Sequence, residues 1–572
     1  MFDLLIRNAR LIDGTGTAAR SADLGVMDGR IAEIGTLSEP ARRIIDADGQ
    51  VLAPGFVDIH THYDAQVFWD PTIGPSCYHG VTTVLAGNCG FSIAPLSKDA
   101  APYLLRMLAR VEGMPEASLR AGVPWNWESF AEYLSCLEGR VGVNMGFMCG
   151  HSALRRVAMG ERALHAHATD DELNAMRSLL AASLREGAMG FSSTVSPTHN
   201  DAEGNPVPSR HASREELIAL AGVCRDHPGT IVEFLPGISK FTEEQMQLMT
   251  DLSLAAQRSL NWNTLSANVG QEALLEYQLS ATDFARKAGA EVIALAMSSS
   301  PSTRLNFYSG FLLDSLPGWA ALFKLPLDER IEALRDPQRR RALAESADPK
   351  KSDFTRAVAD WAKYVVCDSG NKELEGQRIG DIAQRENKSP LDVMFDIAVA
   401  DDLRTVFMMP PRPDSDALWN LRSTLWSDER TVLGATDAGA HLDMIDAFTG
   451  TTYLLAAVRN HNVMSLESAV QKLTQAPANL MGLRDRGVIM KGFRADLVIF
   501  DPAAIKPTPT VIRHDLPGDE MRLFSEAEGI AHVIVNGTSI VEHGTHTGAL
   551  PGHVLHSGTD TKTRSLPMHR PN

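Results

Sequence analysis

Two stretches of this chain carry residue types whose spacing could hold a divalent metal ion. Pro54-Gly55-Phe56-Val57-Asp58-Ile59-His60-Thr61-His62 places an apolar run after a Pro-Gly turn and ends it in His-x-His. The period of two along a strand puts His60 and His62 on one face. Two adjacent imidazoles at a strand end make half of a metal site. A bare His-x-His is more often a surface pair, and the apolar strand ahead of it reverses that balance. The second stretch is Leu433-Gly434-Ala435-Thr436-Asp437-Ala438-Gly439-Ala440-His441, an acid in a small-residue turn after an apolar strand. Alone, Asp437 would read as a helix N-cap. Together with the histidines it reads as a metal ligand or a general base.

These residues need elements to position them. Both ends of the chain are rich in short strands. Leu24–Met27 and Arg30–Ile34 flank Asp28-Gly29, and His532–Val535 and Thr538–Val541 flank Asn536-Gly537, dipeptides that favour tight hairpins. Ala495–Phe500 is a further strand. Between the ends, the runs Val81–Ala86, Gly142–Met148, Gly229–Phe234, Ser259–Asn263 and Thr431–Ala435 alternate with segments of helical spacing such as Asp170–Arg185 and Arg214–Arg225. Such alternation predicts an α/β protein whose parallel sheet closes into a (β/α)8 TIM-type barrel, with active residues at the strand ends. An open doubly wound sheet is the alternative, weakened because no GxGxxG or GxxxxGK[ST] follows a strand. Ser298 to Arg385 is Pro-punctuated and irregular and reads as an insertion between late strands, placed to cover the active face. Ser557 to Asn572 is polar and reads as a loose tail.

Composition narrows the functional class. The 572 residues are 44% hydrophobic and 22% charged, and 54 Lys+Arg against 71 Asp+Glu give a net charge of −17. That acidity disfavours nucleic-acid partners. No apolar run approaches the ~18–20 residues of a membrane helix. The six cysteines form no CxxC pair and no disulfide framework, which points to a reducing, cytoplasmic setting. The basic run Arg339-Arg340-Arg341 reads as a solvated helix face.

The segments PGFVDIHTH, ATDAGAH, LGVMDGRI and FRADLVIFD resemble the amidohydrolase superfamily. Ala86-Gly87-Asn88-Cys89-Gly90-Phe91 and Gly150-His151-Ser152-Ala153-Leu154-Arg155 are similar to motifs of N-acyl-D-amino-acid deacylases. The resemblance implies a metal-bearing barrel over residues 54–482, with the insertion at about 298–385, and a β-sandwich from residues 1–53 and 483–572. It also implies that His60, His62, Cys89 and Asp437 bind Zn2+, with Asp437 the catalytic aspartate. Many relatives bridge two metals with a carboxylated lysine. This chain has no lysine between Lys98 and Lys240, so Cys89 is the natural substitute. The family's metal-binding histidines on strands five and six are replaced by Glu233 and Asn263. The ion therefore sits either with His60, His62, Cys89 and Asp437 or nearer Cys89 and Glu233, and one ion per chain fits better than two.

Asn263 reads as a hydrogen-bond partner of substrate. The loop from His199 to His211 could hold a substrate carboxylate through Arg210 and His199, a polar surface loop being the equal alternative. His151 and Trp262 are pocket candidates for which packing roles serve as well. The implied chemistry is metal-assisted hydrolysis of a linear amide such as an N-acyl amino acid. Two alternatives stay open: a cyclic amide (hydantoin or lactam) or ester/lactone as substrate, and a catalytically silent scaffold. The expected partner is a small-molecule amide, with no nucleic acid and no membrane. A homo-oligomer is compatible with this reading.

Overall fold

The computed structural model describes residues 1–237, 239–310, 312–348, 350, 353–409 and 414–566. At the N-terminus, Arg20–Met27 and Arg30–Gly35 form the antiparallel hairpin that Asp28-Gly29 dictates, with φ of 50° and 69° at the two turn residues. Asn536-Gly537 does the same for Ile530–Val535 and Thr538–Glu542. The two ends of the chain share one nine-stranded sheet. In it Leu497–Phe500 pairs with Val51–Pro54, and that strand pairs with Phe2–Leu11. Leu4, Ile6, Leu24, Val26, Leu52, Leu497 and Ile534 pack against one face.

The middle of the chain is α/β. Phe56–Asp58, Val81–Ala86 and Asn144–Phe147 form one parallel arc. A six-stranded parallel arc runs through Cys149–Gly150, Gly190–Thr194, Ile231–Leu235, Leu260–Leu265, Val292–Ala296 and Thr431–Leu433. A third pairing joins Ala435–Ala438 to His60–Thr61, also in parallel. Most of these strands are buried along their whole length, as expected when helices cover a parallel sheet. The helices start where the sequence supplies caps. Thr169 with Glu172 opens Asp170–Arg185, Ser213 opens Arg214–Val223, and Thr242 with Gln245 opens Glu243–Ala256. The strand Val292–Ala296 has no counterpart in the sequence reading.

The inserted segment has its own core, including Leu305, Phe307, Trp319, Phe395 and Phe407, and its own antiparallel sheet of Thr303–Leu305, Val365–Asp368 and Val406–Met409. Asn306 donates to Asp443 (2.8 Å) and Arg304 pairs with Asp446 (3.1 Å), fastening it to the loop after Asp437.

The expected loose tail is corrected over 557–566. Thr561 is fully buried and donates to the Gly229 carbonyl (2.7 Å), and Arg564 pairs with Glu291 (2.6 Å). Residues 567–572 lie outside the described residues. No helix among the described residues is long and apolar enough to cross a membrane.

Candidate metal centre

The buried strand ending in His60 delivers both imidazoles to one place, with ring centroids 5.2 Å apart. The next strand, Val81–Ala86, ends in the turn Gly87-Asn88-Cys89-Gly90. Its shape is set by Asn88, whose amide donates to the Thr61 and Leu85 carbonyls at 3.1 and 2.9 Å. Gly87 has φ of 79°, and a Cβ there would meet the Met148 carbonyl oxygen at 2.5 Å, so only glycine fits. Cys89 itself has φ of 56°, and its Sγ lies 3.6 Å from His60 Nε2. The ligating atoms of His60, His62 and Cys89 all fall within 4.8 Å of one another. Asp437, also left-handed at φ 58°, brings Oδ1 to 3.0 Å from His62 Nε2 and 3.4 Å from His60 Nε2. Gly439 lets that turn close on the first strand, since a Cβ there would sit 2.8 Å from the His62 carbonyl.

Around this cluster lies a shell of buried carboxylates: Asp58, Asp64, Glu112 and Glu233. Glu112 Oε1 lies 3.4 Å from His62 Nδ1, on the ring edge away from Asp437. Burial would push His62 toward its neutral form, but the Glu112 and Asp437 carboxylates prevail and raise its pKa to about 10. Burial also works against ionised Asp437, yet hydrogen bonds from His60 and His62 hold it well below the usual carboxylate range. His60 is shifted down by burial. Burial lifts the Cys89 thiol, reinforced by the Glu233 and Glu112 carboxylates, and lifts Glu112 and Glu233 to about 8.

The residues present fit a divalent cation. His60 Nδ1, His62 Nδ1, Asp64 Oδ1 and Asn263 Oδ1 are buried without a hydrogen-bond partner, in a pocket crowded with acids. A thiol, two imidazoles and a carboxylate are the mixed soft and borderline donors that suit zinc.

The structure thus brings His60, His62, Cys89 and Asp437 together. Glu233 stands beside them, accepting the Cys89 N–H at 2.9 Å, and receives a hydrogen bond from the Asn263 amide on its other oxygen. His199 is half-buried against Phe91, with ring centroids 4.9 Å apart. Burial takes its pKa down to about 3, while the Asp437 charge opposes the shift. Arg210 uses Nη1 on the His199 carbonyl (2.9 Å) and Asn200 Oδ1 (2.6 Å), so it braces this loop.

Two candidates are not brought to the cluster. His151 spends Nδ1 on Ser193 Oγ and Nε2 on Glu216, both at 2.8 Å, and Glu216 also pairs with buried Arg155. No ring nitrogen is left there for a substrate. Trp262 alternates away from Asn263 and packs edge-on against Phe241 in the core. Two further residues stand near the cluster. Asp64 continues the alternation of His60 and His62, a signal that was there to read. Glu112 follows the end of the helix Ala101–Val111 and carries no motif.

A cavity of about 620 Å³ lies beyond Gly113 and Asp443, lined also by Arg110, Tyr308, Arg404 and Glu520. It gathers residues from the helix Ala101–Val111, the inserted segment and the C-terminal strand Glu520–Phe524.

The sequence profile of the amidohydrolase family matches residues 43–541. A D-aminoacylase of Alcaligenes xylosoxydans xylosoxydans is 29% identical over 97% of this chain and 97% of its own. An N-acyl-D-aspartate deacylase of the same organism is 29% identical over 97% and 95%. A solved D-aminoacylase, described as having a binuclear metal center with one-metal activation and second-metal attenuation, matches with TM-score 0.64 and 25% identity. That match spans 97% of this chain and all of the other. With the profile spanning most of its length and the relatives covering it end to end, this chain belongs to the amidohydrolase family.

Proposed function

We propose that this chain is a metal-dependent hydrolase that cleaves the amide C–N bond of N-acyl amino acids, with the D-configured substrates for which its relatives are named. The observation that carries this reading is the convergence of His60, His62, Cys89 and Asp437 on one buried point. The pairings from Phe56–Asp58 round to Ala435–Ala438 support a closed (β/α)8 barrel presenting that point at its strand ends. The sheet shared by the two ends supports a separate β-sandwich domain. The insertion's core, which continues to Phe407, supports an inserted unit beside the 620 Å³ cavity. The six free cysteines agree with a cytoplasmic setting.

The residues that would hold one zinc ion are His60, His62, Cys89 and Asp437. Such an ion supplies Lewis-acid polarisation of the scissile carbonyl and acidifies water. Asp437 has a side chain 30% exposed, whereas that of His60 is 2% exposed, so it is the member of the pair that substrate can reach. Ionised by its contacts with the imidazoles, it accepts the proton of the attacking water on a carboxylate oxygen and passes it to the leaving nitrogen. The loop of His199, braced by Arg210, stands beside Asp437 on the reacting face.

Assay of the purified protein tests the reading. N-acetyl-D-amino acids should be hydrolysed, a chelator should abolish turnover, and Zn2+ should restore it. Turnover confined to hydantoins, lactams or lactones would overturn it.

Metal uptake should also release protons. At neutral pH, His62 (pKa about 10) is protonated and the Cys89 thiol is raised, and both must deprotonate to ligate. Loading should release about two protons per ion, and affinity should rise up to about a hundredfold per pH unit between about pH 6 and 8. Calorimetry in buffers of different ionisation enthalpy measures this. A pH-independent affinity would remove His62 or Cys89 from the ligand set.

A further inference from the structure

We infer that Glu233 is a positioning residue that clamps the Cys89 turn, and is not itself a metal ligand. The inference rests on the metal-centre reading above and deepens it. The turn Gly87–Gly90 brings Sγ toward His60 only while Cys89 keeps its left-handed backbone, a conformation L side chains rarely adopt. Its backbone is held by side chains from three separate elements. The Gly87 N–H donates to Asp64 Oδ2 (2.9 Å), the Gly90 N–H to Ser192 Oγ (3.1 Å), and the Cys89 N–H to Glu233 Oε2 (2.9 Å). Ser192 Oγ in turn donates to the Gly87 carbonyl (2.5 Å).

Glu233 is the hold on the cysteine itself. It is 1% exposed, and its second oxygen is fixed by the Asn263 amide, so both oxygens already have donors. Register supports the same view. Glu233 lies opposite Ser192 on one neighbouring strand and Asn261 on the other, two residues before Asn263. Glu233 and Ser192 therefore reach the same turn from adjacent strands. A carboxylate accepts two N–H bonds as a bridge between the second and sixth barrel strands, a task that a histidine, with a single acceptor nitrogen, could not perform.

Co2+ titration of the full chain tests this, read by metal stoichiometry, affinity and the thiolate-to-Co2+ charge-transfer band that reports Cys89. Glu233→Gln keeps an acceptor for the Cys89 N–H, and Asn263 can turn its amide to match. It should bind one Co2+ within about threefold of wild type with the band unchanged. Glu233→Ala frees the turn and should bind about 10–100-fold more weakly with the band reduced or shifted. A loss in Glu233→Gln as large as that of a ligand variant such as His62→Asn would make Glu233 a ligand and overturn the inference. Wild-type affinity and band in Glu233→Ala would also overturn it, by removing the clamp. Should Glu233→Ala fail to fold, Glu233→Gln alone decides. Failure of the underlying reading looks different: wild-type protein would then show no thiolate band, and Cys89→Ser would change nothing.

Discussion

Asp437→Asn should fold as the wild type does when loaded with metal, and lose turnover by about a thousandfold or more, since general acid–base catalysis alone contributes about 10²–10⁴-fold. Asparagine is the right probe for a backbone reason. Asp437 sits at φ 58°, where Asn is among the few residues tolerated at little cost, so the local turn survives. The variant keeps the shape and removes two things: the negative charge that faces His60 and His62, and the oxygen that can carry a proton. The measurement is hydrolysis of N-acetyl-D-amino acids alongside a thermal melt and metal content. Turnover within tenfold of wild type, at equal metal content, would remove Asp437 from catalysis. A loss of turnover accompanied by a collapsed melt would move it to a structural role.

What the sequence made legible follows from how local each signal is. His60, His62 and Asp437 declare themselves because a strand period or a small-residue turn presents them, and both are written in adjacent residues. The Asp28-Gly29 and Asn536-Gly537 hairpins are legible for the same reason. The strand Val292–Ala296 is not legible because five apolar residues between a helix and a polar segment fit a strand or a helix end equally. Glu112 is not legible because nothing within the helix Ala101–Val111 tells that the residue after it will face His62. His151 was legible as a histidine but not as one already satisfied, since its partners Ser193 and Glu216 come from later elements. Arg210 has the charge to hold a carboxylate, while the fold directs Nη1 to its own loop. The docking of Thr561 depends on a carbonyl more than three hundred residues away, which no local pattern encodes.

The two histidines of the centre should fail differently when replaced. Structural zinc sites are worth about 10–16 kcal/mol across four ligands, so losing one should weaken binding by about 10²–10³-fold. His60→Asn and His62→Asn should both show that loss. Their apoproteins should diverge. His60 is biased to its neutral form by burial, so its removal takes no positive charge away from Asp437. His62 is the protonated group between Asp437 and Glu112, and it and Glu112 are enclosed. Removing it leaves ionised Asp437 without that cation, and breaking a buried pair of this kind costs about 3–5 kcal/mol. The sign with pH is fixed by the raised pKa. The His62 contribution is fully present below its ordinary value of 6.5, and it is lost as pH rises through about 10. The stability gap between wild-type and His62→Asn apoprotein should therefore be widest at about pH 6 and close toward about pH 10. Denaturant melts of the chelated proteins across that range measure it. Equal apoprotein stabilities for the two variants would mean that His62 carries no charge before the metal arrives. That result would also reduce the expected proton release from two per ion toward one.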